Sequence, residues 1–125
     1  MLQNVAAGQT ASGLMSNFSN SSVEVWDANG NKVANNAKVG TGYTVNLIIN
    51  GERYDSVTVI IKGDVTGDGI VDTTDYMRVK AQFMGTYNLT SCYKTAADVD
   101  SNNIIDTTDY FRVKSHFIGT YNLYN

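Results

Sequence analysis

The stretch Asp64–Leu89, DVTGDGIVDTTDYMRVKAQFMGTYNL, returns 34 residues later as Asp98–Leu123, DVDSNNIIDTTDYFRVKSHFIGTYNL. Of the 26 aligned positions, 17 are identical. Each copy opens on oxygen-bearing residues at alternate positions. Each then shows apolar residues at i, i+3 and i+7: Tyr76, Val79 and Phe83, and again Tyr110, Val113 and Phe117. That spacing marks one buried stripe of a helix. It predicts helices over Thr73–Met84 and Thr107–Ile118, capped by Asp72 and Asp106 and stopped by Gly85 and Gly119. Val71 and Ile105, eighth in their loops, are expected in the same core.

The alternation at the head of each copy suits a calcium loop of the EF-hand kind. Such a loop takes oxygens from positions 1, 3, 5, 7, 9 and 12, with a backbone carbonyl at position 7. The first copy supplies Asp64, Thr66, Asp68, the Ile70 carbonyl, Asp72 and Asp75. The second supplies Asp98, Asp100, Asn102, the Ile104 carbonyl, Asp106 and Asp109. Position 6, where the turn is sharpest, is Gly69 in one loop and Asn103 in the other; both residue types tolerate the left-handed region. Position 12 is Asp in both loops rather than Glu.

Eight of the twelve acidic residues lie in these loops. Without them the formal charge of −3 would become +5, and with two calcium ions it would be +1. The acidity is therefore local. Magnesium fits less well, since it demands a tight octahedron and keeps its waters. One Cys and one His do not make a zinc site.

A full EF-hand flanks its loop with two helices. Here Ser56–Lys62, SVTVIIK, alternates and is β-branched, so the first loop follows a strand. A duplicated loop with a single outgoing helix resembles the type I dockerin, a calcium-dependent module that docks onto cohesin domains. The resemblance runs from Gly63 to about Asn122 and rests on GDVTGDGIVDTTDYMRVKAQFMG and on the pairing of the copies. The intervening TSCYKTAADVD is similar to a dockerin linker and suits a short helix before Asp98. Thr66, Asn102 and Asn103 depart from the family pattern.

The resemblance implies two calcium ions and cohesin recognition through the residues before the last carboxylate and along the exposed helix. The matching positions are Thr73, Thr74, Lys80, Ala81 and Gly85, and Thr107, Thr108, Lys114, Ser115 and Gly119. Arg78 and Arg112 lie off the buried stripe and add to a basic, hydroxyl-bearing face. As a plain sequence pattern these cations read as a solvated helix face. Two such motifs also imply two similar faces, related by a half-turn.

Residues 1–62 lack the calcium pattern and are rich in β signals. Thr10–Phe18 suits a short helix capped by Thr10 or Ser12. Leu2–Val5 suits a partial strand and Val23–Trp26 a full one. Asp27–Asn31, DANGN, reads as a hairpin turn. Tyr43–Ile49 and Val57–Ile61 read as a second hairpin across Asn50-Gly51, with a longer or bulged connection. GTGYTVNLIINGE, running directly into the loop repeat, is similar to the small β-rich X-modules of cellulosomal scaffolds.

The fold expected is therefore an α+β chain of two modules. Residues 1–62 form a β-rich module, a sandwich or grasp-like unit, and residues 63–125 an all-α dockerin with two loop–helix repeats. Each half is small enough to need outside support, which metal binding and contact between the halves would supply.

The function expected is calcium-dependent docking onto a cohesin, attaching a secreted protein to a scaffold in a cellulosome-type, polysaccharide-degrading bacterial assembly. The competing reading is a calcium-stabilised structural module without a cohesin partner. Catalysis is not expected: the Asp residues are committed to metal, Glu24 and Glu52 show no partner, and His116 aligns with Gln82. Nor does a basic stripe with interleaved aromatics suggest nucleic acid, and no apolar run approaches membrane-spanning length. Carbohydrate binding through Trp26 and Tyr43 is not expected either, because a single strand tryptophan reads as core. The free chain is expected to be a monomer, located outside the cell or at its surface through the scaffold. Cys92, the single cysteine, reads as an inert thiol.

Overall fold

A computed structural model describes residues 5–15 and 23–124. The elements run α1 (Ala11–Met15), β1 (Val23–Trp26), β2 (Thr44–Ile49), β3 (Glu52–Thr58), α2 (Thr73–Met84), α3 (Ser91–Ala97) and α4 (Thr107–Phe117). The class is α+β, with an antiparallel sheet first and helices after it.

The strands form one meander in the order β1-β2-β3. Among the described residues there is this single sheet with α1 against it, rather than a two-sheet sandwich. Asn50 (φ 52°) and Gly51 (φ 81°) are both left-handed, the requirement of a two-residue type I′ hairpin turn. The connection is thus tight, not long, and β3 begins at Glu52, earlier than the alternation suggested. The bulge lies inside the ladder instead: Leu47 and Ile48 oppose Asp55 and Arg53, so β3 carries one extra residue between them. The DANGN turn closes through Asp27, whose amide donates to the Asn31 carbonyl at 2.8 Å and whose carboxylate accepts from the Asn29 and Asn31 amides. Thr10 caps α1, its hydroxyl accepting from the Gly13 amide at 3.2 Å. Of Leu2–Val5 and Thr10–Phe18, residues 2–4 and 16–18 lie outside the described residues; Val5 is buried but not in a strand.

Trp26 is not a core residue. It is half-buried, its Nε1 donates to Glu24 at 3.0 Å, and the Arg53 guanidinium lies 5.6 Å from its ring centroid. Glu24, which the sequence left without a partner, also pairs with Lys32 at 3.5 Å.

Two apolar clusters share a seam at Val59-Ile60-Ile61. Val59 and Ile61 pack with Leu14, Val25, Val39 and Val45. Ile60, pointing the other way by the two-residue alternation of extended chain, packs with Val65, Val79, Val113 and Leu123. Ala7 and Tyr124 touch both clusters. The Tyr124 hydroxyl donates to the Lys62 carbonyl at 2.7 Å, tying the last described residue to the junction.

The helical half shows its duplication in three dimensions. Val79 and Val113 are fully buried between α2 and α4. Tyr76 meets Tyr110 edge to face at 5.9 Å, while Tyr76–Phe117 (6.1 Å) and Tyr110–Phe83 (5.7 Å) are the same contact with the repeats exchanged. Phe83 departs from the buried stripe: 45% exposed, it rims the cluster against Tyr110. Val71 is buried in this core and Ile105 packs against it. Gly85 ends α2 at φ 80°, and Gly119 (φ 88°) takes the left-handed step after Ile118. The linker helix expected before Asp98 is α3, whose Cys92 is buried in the same core.

Candidate metal centre

Both loops wrap around their own carboxylates. Asp64 and Asp75, at positions 1 and 12, are fully buried and accept main-chain hydrogen bonds from around the loop. Asp64 accepts from the amides of Gly67, Asp68 and Gly69 at 3.0–3.2 Å, and Thr66 Oγ1 donates to it at 3.4 Å. Asp75 accepts from Val65, Thr66 and Asp72. The second loop repeats the plan with fewer bonds: Asp98 accepts from Asn102 and Asn103, and Asp109 from Asp100 and Asp106. Asp72 and Asp106 cap their helices in reciprocal capping boxes with Asp75 and Asp109.

The result is two convergent acidic clusters. Oxygens of Asp64, Asp68 and Asp75 lie within 4.8 Å of one another, as do those of Asp98, Asp100 and Asp109. No Lys or Arg forms an ion pair with them among the described residues. Burial pushes Asp75 up to about 7, helped by the Asp64 charge, against the pull of the Asp72 amide. Burial likewise raises Asp64 to about 6, with the Asp68 charge adding and the Thr41 and Gly69 amides opposing. Asp109 rises to about 6 through burial and the nearby Asp100 and Asp98 charges, and burial also raises Asp98. All-oxygen donors, like charges in close contact and no organic counter-ion fit a hard divalent cation.

Gly69 and Asn103 take left-handed φ of 79° and 67°, as position 6 requires. Position 4 is left-handed too, at Gly67 (79°) and Ser101 (59°). The serine concealed that second requirement in the sequence.

The helix faces differ in detail from a plain basic surface. Thr73, Thr74, Lys80 and Gly85, and Thr107, Thr108, Lys114 and Gly119, are exposed, with Ala81 and Ser115 half-exposed. Arg78 and Arg112 are not free cations. Each guanidinium stacks on a tyrosine of its own repeat, Tyr87 at 5.5 Å and Tyr121 at 5.8 Å. The sequence reading missed the apolar pairs beside them: Met77 and Met84 (both 61% exposed), and their repeat equivalents Phe111 and Ile118 (both 56%). Their signal was an apolar i, i+7 pair on the polar side of each stripe.

His116 has an assigned role after all. Its Nδ1 accepts from the Leu123 amide at 3.2 Å, where Gln82 Oε1 accepts from the Leu89 amide in the first repeat.

Residues 62–118 match the family model of the dockerin type I domain. This segment is a type I dockerin domain. Dockerin domains bind calcium and act as protein–protein docking modules, in general toward cohesins, rather than as catalysts. The match leaves residues 1–61 outside it. Comparison with curated proteins found no match. Among the described residues no helix is long and apolar enough to cross a membrane.

Proposed function

We propose that the dockerin attaches its parent protein to a cohesin domain of a scaffold, and that two calcium ions set the docking surface. The observation that carries this is the placement of a counter-ion-free acidic cluster at the head of each exposed helix, inside a dockerin segment. Asp64, Thr66, Asp68, the Ile70 carbonyl, Asp72 and Asp75 would hold one ion. Asp98, Asp100, Asn102, the Ile104 carbonyl, Asp106 and Asp109 would hold the other. A bound cation supplies the positive charge that converging carboxylates lack. The chain's own part is to keep those oxygens together and to hand each loop directly to a capped helix.

The cohesin-facing set is Thr73, Thr74, Lys80, Ala81 and Gly85, with Thr107, Thr108, Lys114, Ser115 and Gly119 as the alternative face. Met77 and Met84, or Phe111 and Ile118, supply the apolar contact area, and Arg78 and Arg112 stiffen each face through their tyrosines. The parent protein is read as secreted, monomeric when free, and part of a cellulosome-type assembly for polysaccharide breakdown. Residues 1–62 serve as a supporting β-rich module and 63–125 as the docking one.

Titration calorimetry of the full chain against a panel of cohesins tests this. Binding by at least one cohesin in calcium, abolished by chelator, is expected. Absence of binding across the panel, with calcium still taken up, would favour the purely structural reading.

A further inference from the structure

The two loops are alike in sequence but not in surroundings. The Val39–Thr41 segment of the β-rich half lies directly on the first loop. The Thr41 amide donates to Asp64 Oδ2 at 3.0 Å, the same oxygen that accepts from Gly69. Thr41 is fully buried, and its hydroxyl both donates to the Ile61 carbonyl (3.2 Å) and accepts from the Ile61 amide (3.0 Å). The Ile61 carbonyl in turn accepts from the Asp64 amide at 3.0 Å. The Gly8 amide donates to the Gly69 carbonyl at 2.9 Å.

The approach is close enough to demand glycine on both sides. A Cβ on Gly40 would collide with the Gly67 carbonyl oxygen, and one on Gly69 would sit 2.6 Å from the Val39 carbonyl oxygen. Among the described residues no such segment covers the second loop. There Asp98 and Asn103, the equivalents of Asp64 and Gly69, line an open cavity of about 270 Å³ with Ser91, Lys94, Thr95 and Ile105.

We propose that Thr41, held by Gly40, is a positioning residue for the first loop, making the β-rich half an outer shell for one metal site and not the other. A main-chain donor aimed at a ligating carboxylate fixes its orientation. The first loop is therefore the tighter site. Cation binding there stabilises the β-rich half, and the second loop fills and empties independently. This rests on the reading that both loops bind calcium.

The test uses the full chain, with the Gly69 and Asn103 amide resonances reporting the two loops during calcium titration. In the wild type, Gly69 is expected to saturate first. Gly40→Ala should weaken the first loop by roughly 10- to 100-fold, the usual cost of losing an outer-shell partner, with Asn103 unchanged. Equal weakening of both loops, or none, overturns the proposal. Should Gly40→Ala not fold, Asp64→Asn and Asp98→Asn keep the question open to measurement. Loss of the first site should speed hydrogen exchange at Val39, Val59 and Ile61, and loss of the second should not; equal exchange in both variants overturns the proposal. If neither loop of the wild type takes up calcium, the functional reading fails and this inference with it.

Discussion

Tyr76 and Tyr110 meet edge to face at 5.9 Å, and each is the other's counterpart in the duplicated sequence. A contact between equivalent residues lies on the axis that exchanges the repeats. Val79 and Val113 are both fully buried beside it. Val79→Ala and Val113→Ala should therefore cost nearly the same, about 2 kcal/mol each from lost methyl burial and the cavity left behind. Urea unfolding at saturating calcium checks this; a large difference would show that the cores of the two repeats are not equivalent.

The raised carboxylates predict an inverted pH dependence in calcium-free protein. Asp64, Asp75 and Asp109 have folded values of about 6, 7 and 6, above the ordinary 3.8. The folded state then binds protons that the unfolded chain releases. Their stabilising contribution is complete below about pH 4 and disappears as pH rises through 6 to 7. Chelator-treated protein should melt at a higher temperature at pH 5 than at pH 7.5. With calcium bound the order should reverse, because protons and cation compete for the same oxygens.

His116 has the opposite sign. Burial lowers its value below 6.5, so the folded state favours the neutral ring whose Nδ1 accepts from Leu123. Its contribution is present above 6.5 and is lost as pH falls through the depressed folded value. His116→Gln copies the Gln82 arrangement. The variant should match the wild type at pH 8 and retain more stability near pH 5 in thermal melts at saturating calcium.

Ser101 holds φ 59° where the first loop has Gly67 at 79°. A non-glycine residue in the left-handed region costs roughly 1–2 kcal/mol, and glycine's extra freedom in the unfolded chain takes back part of that gain. Ser101→Gly should stabilise the chain by about 1 kcal/mol in calcium-free buffer. It should also tighten calcium binding at the second loop, read by calorimetry.

Repetition made the helical half legible. Asp72, Val79 and Gly85 follow local rules of capping, periodicity and termination, and the second copy checked each one. What stayed hidden depended on contacts distant in sequence. Nothing local marked Gly40; its need for glycine comes from the Gly67 carbonyl, 27 residues on, lying against it. Trp26 looked like core until Arg53, from two strands away, was found on its face. Arg78 read as a free cation because Tyr87 lies beyond the helix end. The Val59–Ile61 alternation was visible, but not that its two faces serve different cores.

Native mass spectrometry of the wild type, Asp64→Asn and Asp98→Asn counts the calcium ions that the two loops hold. Two ions are expected on the wild type and one on each variant. A wild-type chain that carries none, or a count that neither substitution changes, would contradict calcium binding by the two loops.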